Sequence, residues 1–360
     1  MNEAVCSAPA EENIKETVRE YYGKVLKGKK DLKAGACCAV TAFAEPVKSI
    51  IKKIEPEILD KFYGCGSPIP PLLEGCRVLD LGSGTGRDVY ILSALVGEDG
   101  LATGIDMTDE QLAIAVKYKN SQMNKFGFKH CNVDFRKGYI EDLKGAGIGD
   151  NSQDVVISNC VINLSTDKES VFSEIFRVLK PNGELYFSDV FADRRIYGEI
   201  KDDPVLYGEC LGGALYIEDF RRMLRGLGCN DYRVMSKRKI SIDDPLIADK
   251  VEGIGFYSMT IRAFKLADLE DICEDYGQIA CYNGAIPSLP HQFQLDDHHV
   301  FISHKPMLVC GNTASMLSST RFGKYFKITG DRSRHFGPFS CRPGTKGPGS
   351  QEFYGGESCC

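Results

Sequence analysis

The chain has 360 residues, is 43% apolar and 26% charged, and carries a net charge of −6. Those are the proportions of a globular protein with room for two or three domains, without the clustered basic surface that a nucleic acid needs. No apolar run approaches the roughly 20 residues that cross a membrane, and the polar N-terminus is unlike a signal peptide, so a cytoplasmic protein is expected; a monomer is the expected state.

The 15 cysteines are the compositional oddity. Without a secretion signal they point to metal, metalloid or redox chemistry rather than to a disulfide framework. No Cys-x-x-Cys pair occurs; the cysteines are widely spaced or directly adjacent, as in Cys37-Cys38 and Cys359-Cys360. That argues against a zinc ribbon or finger. The competing reading is that most are small buried hydrophobes.

Residues 1–12 read as a disordered lead. Apolar residues Ile14, Val18, Tyr21, Tyr22 and Val25 recur at helical spacing over 13–26, giving a helix that either folds over a ligand site as a lid or packs on the outside. Short helices are expected over 46–54 and 56–62. They run into Tyr63-Gly-Cys-Gly66, where a cysteine between two glycines is either exposed to a cleft or incidental.

The organising stretch is Arg77-Val-Leu-Asp-Leu-Gly-Ser-Gly-Thr-Gly-Arg-Asp88. It reads as a buried strand, a tight glycine turn and a helix to about residue 96, the opening unit of a nucleotide-binding α/β domain. The third glycine comes one residue early for the dinucleotide fingerprint. Asp80, just before the turn, suits a ligand with a cationic amino-acid end. The pattern favours S-adenosylmethionine over NAD.

A second strand over 101–107 brings Asp106, 26 residues beyond Asp80 (106 − 80), to a strand end where its carboxylate can accept both ribose hydroxyls. A helix follows over 109–126, capped by Thr108, and then a third strand over 132–137. Ile140 and Glu141 come next, an apolar and an acidic residue suited to an adenine ring and its amino group. The fourth strand, 154–160, ends in Cys160, beside the expected reactive group; a core cysteine is the alternative. A helix over 167–179 and a turn over 180–183 precede the fifth strand, 184–190. Cys210 sits near glycines in a more helical region, followed by a helix over 220–227. Residues 229–240 supply the last strand or strand pair of the sheet. Beyond about 240 the alternation fades. Residues 258–266 have strand-like alternation, and 271–284 read as a loop and strand with a hairpin turn. Residues 293–307 read as a strand with exposed polar residues, His298, His299 and His304 included, rather than a metal site. A helix is expected over 312–326 and a disordered tail from 341.

These core motifs resemble the class I S-adenosylmethionine methyltransferases. Ala36-Cys-Cys38, Tyr63-Gly-Cys-Gly66, Ser158-Asn-Cys-Val-Ile-Asn-Leu164 and Gly208-Glu-Cys-Leu-Gly-Gly-Ala-Leu215 are similar to the four cysteine motifs of arsenite methyltransferases. The likeness runs from the first helix to about residue 338. It includes Val178-Leu-Lys-Pro-Asn-Gly-Glu-Leu-Tyr-Phe-Ser-Asp189 and residues 279–284. The first cysteine is sometimes doubled in that family; spacing to Cys65 favours Cys37, with Cys38 able to substitute.

The resemblance implies a Rossmann-like, doubly wound α/β sheet with an arsenic-binding middle region and a small α+β C-terminal domain. The expected divisions are a lid segment at 1–66, the cofactor domain at 67–235, completion of the arsenic region at 236–288, the C-terminal domain at 289–340 and the tail at 341–360. Trivalent arsenic is thiophilic, and three thiolates around it leave a lone pair that attacks the methyl group of S-adenosylmethionine. The catalytic cysteines implied are Cys37, Cys65, Cys160 and Cys210, with Cys65, Cys160 and Cys210 as arsenic(III) ligands. After transfer, Cys37 and Cys65 would form a disulfide. The cofactor contacts implied are Tyr63, Asp80, Gly82, Gly84, Asp106, Met107, Ile140, Glu141 and Asn159. Glutathione conjugates would deliver arsenic, and glutathione or thioredoxin would reset the thiols. Mono- and dimethylated arsenicals are the expected products of this detoxification, with trimethylation left open. Two readings compete: a methyltransferase for an ordinary carbon, oxygen or nitrogen substrate, and a metalloid-binding sensor without turnover.

Overall fold

The computed structural model describes residues 45–62, 64 and 66–340. The expected helix over 13–26, Cys37, Cys38, Tyr63, Cys65 and the tail from 341 lie outside the described residues.

Two short helices, Glu45–Ile51 and Pro56–Asp60, precede β1 (Arg77–Leu81). Val78, Leu79 and Leu81 are fully buried. Cover on both faces is why this strand is a continuous apolar run rather than an alternating one. The helix Arg87–Val96 packs against it and leads to β2 (Leu101–Asp106), β3 (Val133–Lys137), β4 (Gln153–Asn159) and β5 (Leu179–Ala192). These five strands pair in parallel in the order β3-β2-β1-β4-β5. The order reverses between β1 and β4, and the crevice off the carboxyl ends of strands at such a point is where open α/β sheets hold ligands.

The sheet then takes β6 (Leu215–Tyr216) beside the end of β5, β7 (Tyr232–Lys239) at its edge, and β8 (Phe256–Phe264) antiparallel between β5 and β7. The boundary expected at residue 235 therefore falls inside β7, and the sheet draws a strand from beyond it. In the C-terminal part β9 (Gln278–Tyr282) lies between β12 (Pro306–Val309) and β13 (Phe326–Thr329), with a hairpin of β10 (Gln292–Gln294) and β11 (Val300–Ile302) alongside. Phe264, Tyr282, Phe293, Phe301 and Phe322 form its core.

Four expected elements differ. The single strand expected over 293–307 is instead the β10–β11 hairpin followed by β12, with residues 295–299 turning between β10 and β11. The helix over 109–126 divides at Tyr118 into Asp109–Lys117 and Lys119–Phe126. The first turn of the second piece holds Asn120 and Ser121, weak helix formers, and the Tyr118 hydroxyl is held by Glu57 at 2.5 Å. The turn over 180–183 is an irregularity within β5, where Asn182 takes a φ of 68°. The helix over 312–326 covers only Gly311–Ser318. A side chain at position 323 would come within 2.5 Å of the Ser318 carbonyl, and the chain turns there into β13. Of the histidines, His298 is exposed against Asp297, while His299 is buried on Asp296 at 2.8 Å. Asp296 is also paired with Arg233 at 3.0 Å, so its carboxylate is shared between the histidine and the guanidinium.

One ion-pair network joins the two parts. Glu184 on β5 and Arg262 on β8 are both 0% exposed and meet at 2.6 Å. Arg262 also donates to the Leu295 carbonyl at 2.6 Å, and Arg321 pairs with Glu184 while donating to the Pro71 carbonyl. Removing Arg262 leaves the fully buried Glu184 with Arg321 as its remaining cation, and breaking a buried pair typically costs about 3–5 kcal/mol. Arg262→Met is expected to lower unfolding stability by about that amount; urea unfolding with a wild-type midpoint would contradict this role.

Candidate functional site

The eight described residues expected to hold the cofactor, Asp80, Gly82, Gly84, Asp106, Met107, Ile140, Glu141 and Asn159, line one cavity at the strand switch point. Gly82 takes a φ of +67°, and a side chain there would come within 2.4 Å of the Val161 methyls. Gly84, at φ +52°, has only the Gln111 side chain within 4 Å of where a Cβ would lie, 3.9 Å away, so its missing side chain is room for a ligand. The Asp106 carboxylate accepts N–H bonds from Gly84 and Thr108, each 2.8 Å, and is thereby aimed into the cavity. Asp80 is 2% exposed; burial, then the nearby Asp88 carboxylate, push its pKa well above the usual range. Burial likewise raises Asp106, against the backbone N–H bonds that lower it. A ligand with a cationic end supplies the counter-charge that Asp80 lacks. The buried Ser83 hydroxyl has no partner among the described residues and lines the same wall. The acidic floor, the glycine cradle and the orphaned hydroxyl fit S-adenosylmethionine.

Cys160 lines this cavity directly after β4. Cys210 follows the short helix Pro204–Gly208 and sits behind it, its Sγ 3.4 Å from the Cys160 carbonyl oxygen. Both cysteines take left-handed backbone, φ +57° at Cys160 and +63° at Cys210. That conformation is unfavourable for a side chain other than glycine, and such strain collects at functional sites. Gly213 lets the two segments touch, because a side chain there would lie 2.0 Å from the Asn163 carbonyl. Cys160, Cys210, Leu206 and Leu211 pack with Ile240, Ile247, Val251 and Phe256 in one apolar cluster, so residues beyond 240 help enclose the pair. Cys160 is disulfide-bonded, whereas Cys210 is a thiol. The disulfide implied by the resemblance, between Cys37 and Cys65, falls outside the described residues.

A chain of contacts brings the second cysteine motif to the third. Asn159 accepts from the Gly66 N–H at 3.2 Å and donates to the Gly66 carbonyl at 3.1 Å. It also donates to Asp88 at 3.0 Å. Asp88 holds Arg87, and the Arg87 guanidinium lies 3.1 Å from the centre of the Phe62 ring. Phe62 precedes the motif Tyr63-Gly-Cys-Gly66 and Gly66 closes it. Sequence reasoning missed Phe62, Arg87 and Asp88 here; Arg87 in the place of a late fingerprint glycine was the available signal.

Other cysteines are set apart by their surroundings. Burial raises the thiol of Cys229 to about 12 and also raises that of Cys76, which makes thiolate formation harder at both. Near the candidate pair the electrostatics are different. Lys168 donates to the carbonyls of Ser165 at 2.8 Å and Asn163 at 3.4 Å. Burial pushes it down to about 8, partly offset by Asp189 and Cys210. Asp189, at 1% exposure, is pushed up to about 7 by burial, against the N–H bonds from Val190 and Asn163.

Comparison with known proteins agrees with this geometry. Residues 72–228 match the Methyltransferase domain family, and residues 276–351 match the Arsenite methyltransferase C-terminal domain family. The sheet and cavity are those of a class I S-adenosylmethionine-dependent methyltransferase. The chain is 50% identical to the arsenite methyltransferase of Aquipseudomonas alcaligenes over 96% of its own length and 99% of that protein's. It is 41% identical to the human arsenite methyltransferase, covering 88% of this chain and 84% of the other. The crystal structure of an arsenic(III) S-adenosylmethionine methyltransferase from Chlamydomonas reinhardtii superposes with a TM-score of 0.80 at 48% identity, covering 83% of this chain and 100% of that one. The chain belongs to the arsenite methyltransferase family.

The raised Asp189 pKa has a definite sign. The folded state holds a proton that the unfolded state releases near pH 4, so this stabilisation is present at low pH and is lost as pH rises towards about 7. Asp189→Asn removes the titration. Relative to wild type, the variant is expected to gain roughly 3 kcal/mol between pH 4.5 and pH 8. Parallel urea curves at the two pH values would reject the raised pKa if the stability difference stayed constant.

Proposed function

We propose that the protein methylates arsenic(III) held by the thiolates of Cys65, Cys160 and Cys210, with Cys37 as a fourth working thiol. The observation that carries this is the approach of the Cys210 sulfur to the backbone of Cys160, which lines the cofactor cavity, both cysteines being on strained backbone. Three thiolates satisfy the soft, three-coordinate centre and leave its lone pair directed away from the sulfurs. No general base is required, because that lone pair carries no proton. The protein's task is to keep the thiols deprotonated and aligned.

Asp80 would hold the cationic amino-acid end of S-adenosylmethionine, Asp106 its ribose hydroxyls, and Met107, Ile140 and Glu141 its adenine, with Gly82 and Gly84 giving backbone access and Asn159 and Tyr63 close by. When bound, S-adenosylmethionine supplies the electrophilic methyl group that the arsenic lone pair takes up, leaving S-adenosylhomocysteine. A disulfide at Cys160 must be opened before that sulfur can ligate arsenic, and this supports a requirement for glutathione or thioredoxin. Two reduced thiols give up two electrons and two protons to it and leave as a disulfide. Glutathione is also the carrier on which arsenic would arrive. Working thiols of this kind suit a reducing compartment such as the cytoplasm.

The test is to incubate the purified protein with arsenite, glutathione and S-adenosylmethionine and to separate the arsenic species with elemental detection. Cys160→Ser and Cys210→Ser should each abolish methylation of arsenite and of its monomethylated product. Cys65→Ser and Cys37→Ser should lose mainly the first step, with Cys38 covering part of the Cys37 loss. Equal loss of both steps in all four variants would overturn this division. A Cys210→Ser variant with full methylation would overturn the site.

A further inference from the structure

A hydrogen-bond path joins the two halves of the site. On the cofactor side, the Ser165 hydroxyl donates to the Glu141 carboxylate at 2.7 Å. Ser165 is 4% exposed, and both residues line the cofactor cavity. On the arsenic side, Tyr207 belongs to the helix Pro204–Gly208 that delivers Cys210. Its hydroxyl reaches back and donates to the Ser165 carbonyl at 3.1 Å. The same carbonyl accepts from Lys168 at 2.8 Å. The Cys210 N–H donates to the Tyr207 carbonyl at 3.0 Å, so the tyrosine holds the thiol-bearing residue by its backbone as well. Ser165 stands five positions beyond Cys160 (165 − 160) and follows the helical turn Ile162–Leu164 that leaves it. A shift of Ser165 is thus felt at Glu141 in one direction and at the spacing of Cys160 and Cys210 in the other.

We propose that Ser165 and Tyr207 are positioning residues that couple the adenine end of the cofactor cavity to the Cys160–Cys210 pair, so that cofactor and arsenic each tighten the binding of the other. The inference rests on the functional reading above, since it takes Glu141 as a cofactor contact and Cys210 as an arsenic ligand. A ligand that engages Glu141 fixes the carboxylate. The fixed carboxylate holds the Ser165 hydroxyl, and the Ser165 carbonyl in turn holds Tyr207 and the backbone of Cys210. Arsenic bound at Cys160 and Cys210 orders the same segments from the other end. Coupling between two sites is reciprocal, so either ligand can be used to read it. The path is built for pacing as well as affinity: it makes the thiol pair best formed when a methyl donor is present.

The experiment uses the full chain, reduced beforehand, and measures arsenite affinity by equilibrium dialysis with elemental detection, without and with saturating S-adenosylhomocysteine. In wild type S-adenosylhomocysteine should tighten arsenite binding about fivefold, the worth of one net hydrogen bond. Tyr207→Phe keeps the ring and removes the hydroxyl; it should bring that ratio close to one while S-adenosylhomocysteine affinity and melting temperature stay at their wild-type values. Ser165→Ala should abolish the coupling and Ser165→Thr, which restores a hydroxyl, should recover most of it. This pair carries the test if Tyr207→Phe folds poorly. A wild-type ratio of one, or variants that keep the wild-type ratio, would overturn the proposal. A protein that methylates arsenite but shows no coupling loses this inference alone. One that binds neither arsenite nor S-adenosylhomocysteine loses the functional reading with it.

Discussion

The site depends on one close approach. Residues 210–214 lie directly on the segment that leaves β4, with the Cys210 sulfur against the Cys160 carbonyl and Gly213 against the Asn163 carbonyl. No side chain fits at Gly213, and both cysteines must adopt left-handed backbone to bring the segments together. Such backbone costs on the order of 1 kcal/mol or more per residue and survives only where the surroundings over-determine it. Here they do: Val190, Leu206, Leu211, Ile240 and Phe256 pack around the pair. The strands β7 and β8, which close the sheet on this side, matter to chemistry through that packing.

A second constraint is charge. The cavity floor holds Asp80, Asp88 and Asp106 at 2–8% exposure. Burying carboxylates without cations is costly; among the described residues Asp88 has an ion pair, with Arg87, whose charge reaches Asp80 only at longer range. Asp80 is left for a visitor of the opposite sign, which is what a sulfonium-bearing amino acid provides. Arg87 does two jobs by one placement. It neutralises Asp88, which steadies Asn159, and it stacks on Phe62, so the ends of the segment 62–66 are held beside Cys160. The buried ions at Glu184, Arg262 and Arg321 have a different task. They fix the C-terminal part to the sheet, far along β5 from the thiols.

Much of this was legible in the chain. The apolar run before Asp80 and the three glycines after it give β1, the turn and the helix, because a buried parallel strand and a positive-φ turn leave few alternatives. Asp106 followed from its distance to Asp80. Cys210 was legible only through its motif, since a buried cysteine near glycines reads equally as core. What could not be read was pairing. Asp88, Ser165 and Tyr207 are ordinary in sequence and acquire meaning only from partners distant along the chain, such as Asn159 for Asp88 and Ser165 for Tyr207. The long helices over 109–126 and 312–326 failed where local propensity was weak and tertiary contacts at Tyr118 and Gly323 decided the break.

The central claim is that Cys160 and Cys210 hold arsenic together on one face of the cofactor cavity. X-ray absorption at the arsenic edge tests it most directly, on the reduced protein loaded with one equivalent of arsenite. The account predicts a first shell of three sulfur neighbours, falling to two sulfurs with an oxygen in Cys210→Ser and again in Cys160→Ser. A three-sulfur shell that survives both substitutions unchanged would contradict it and move the arsenic to other thiols of the chain.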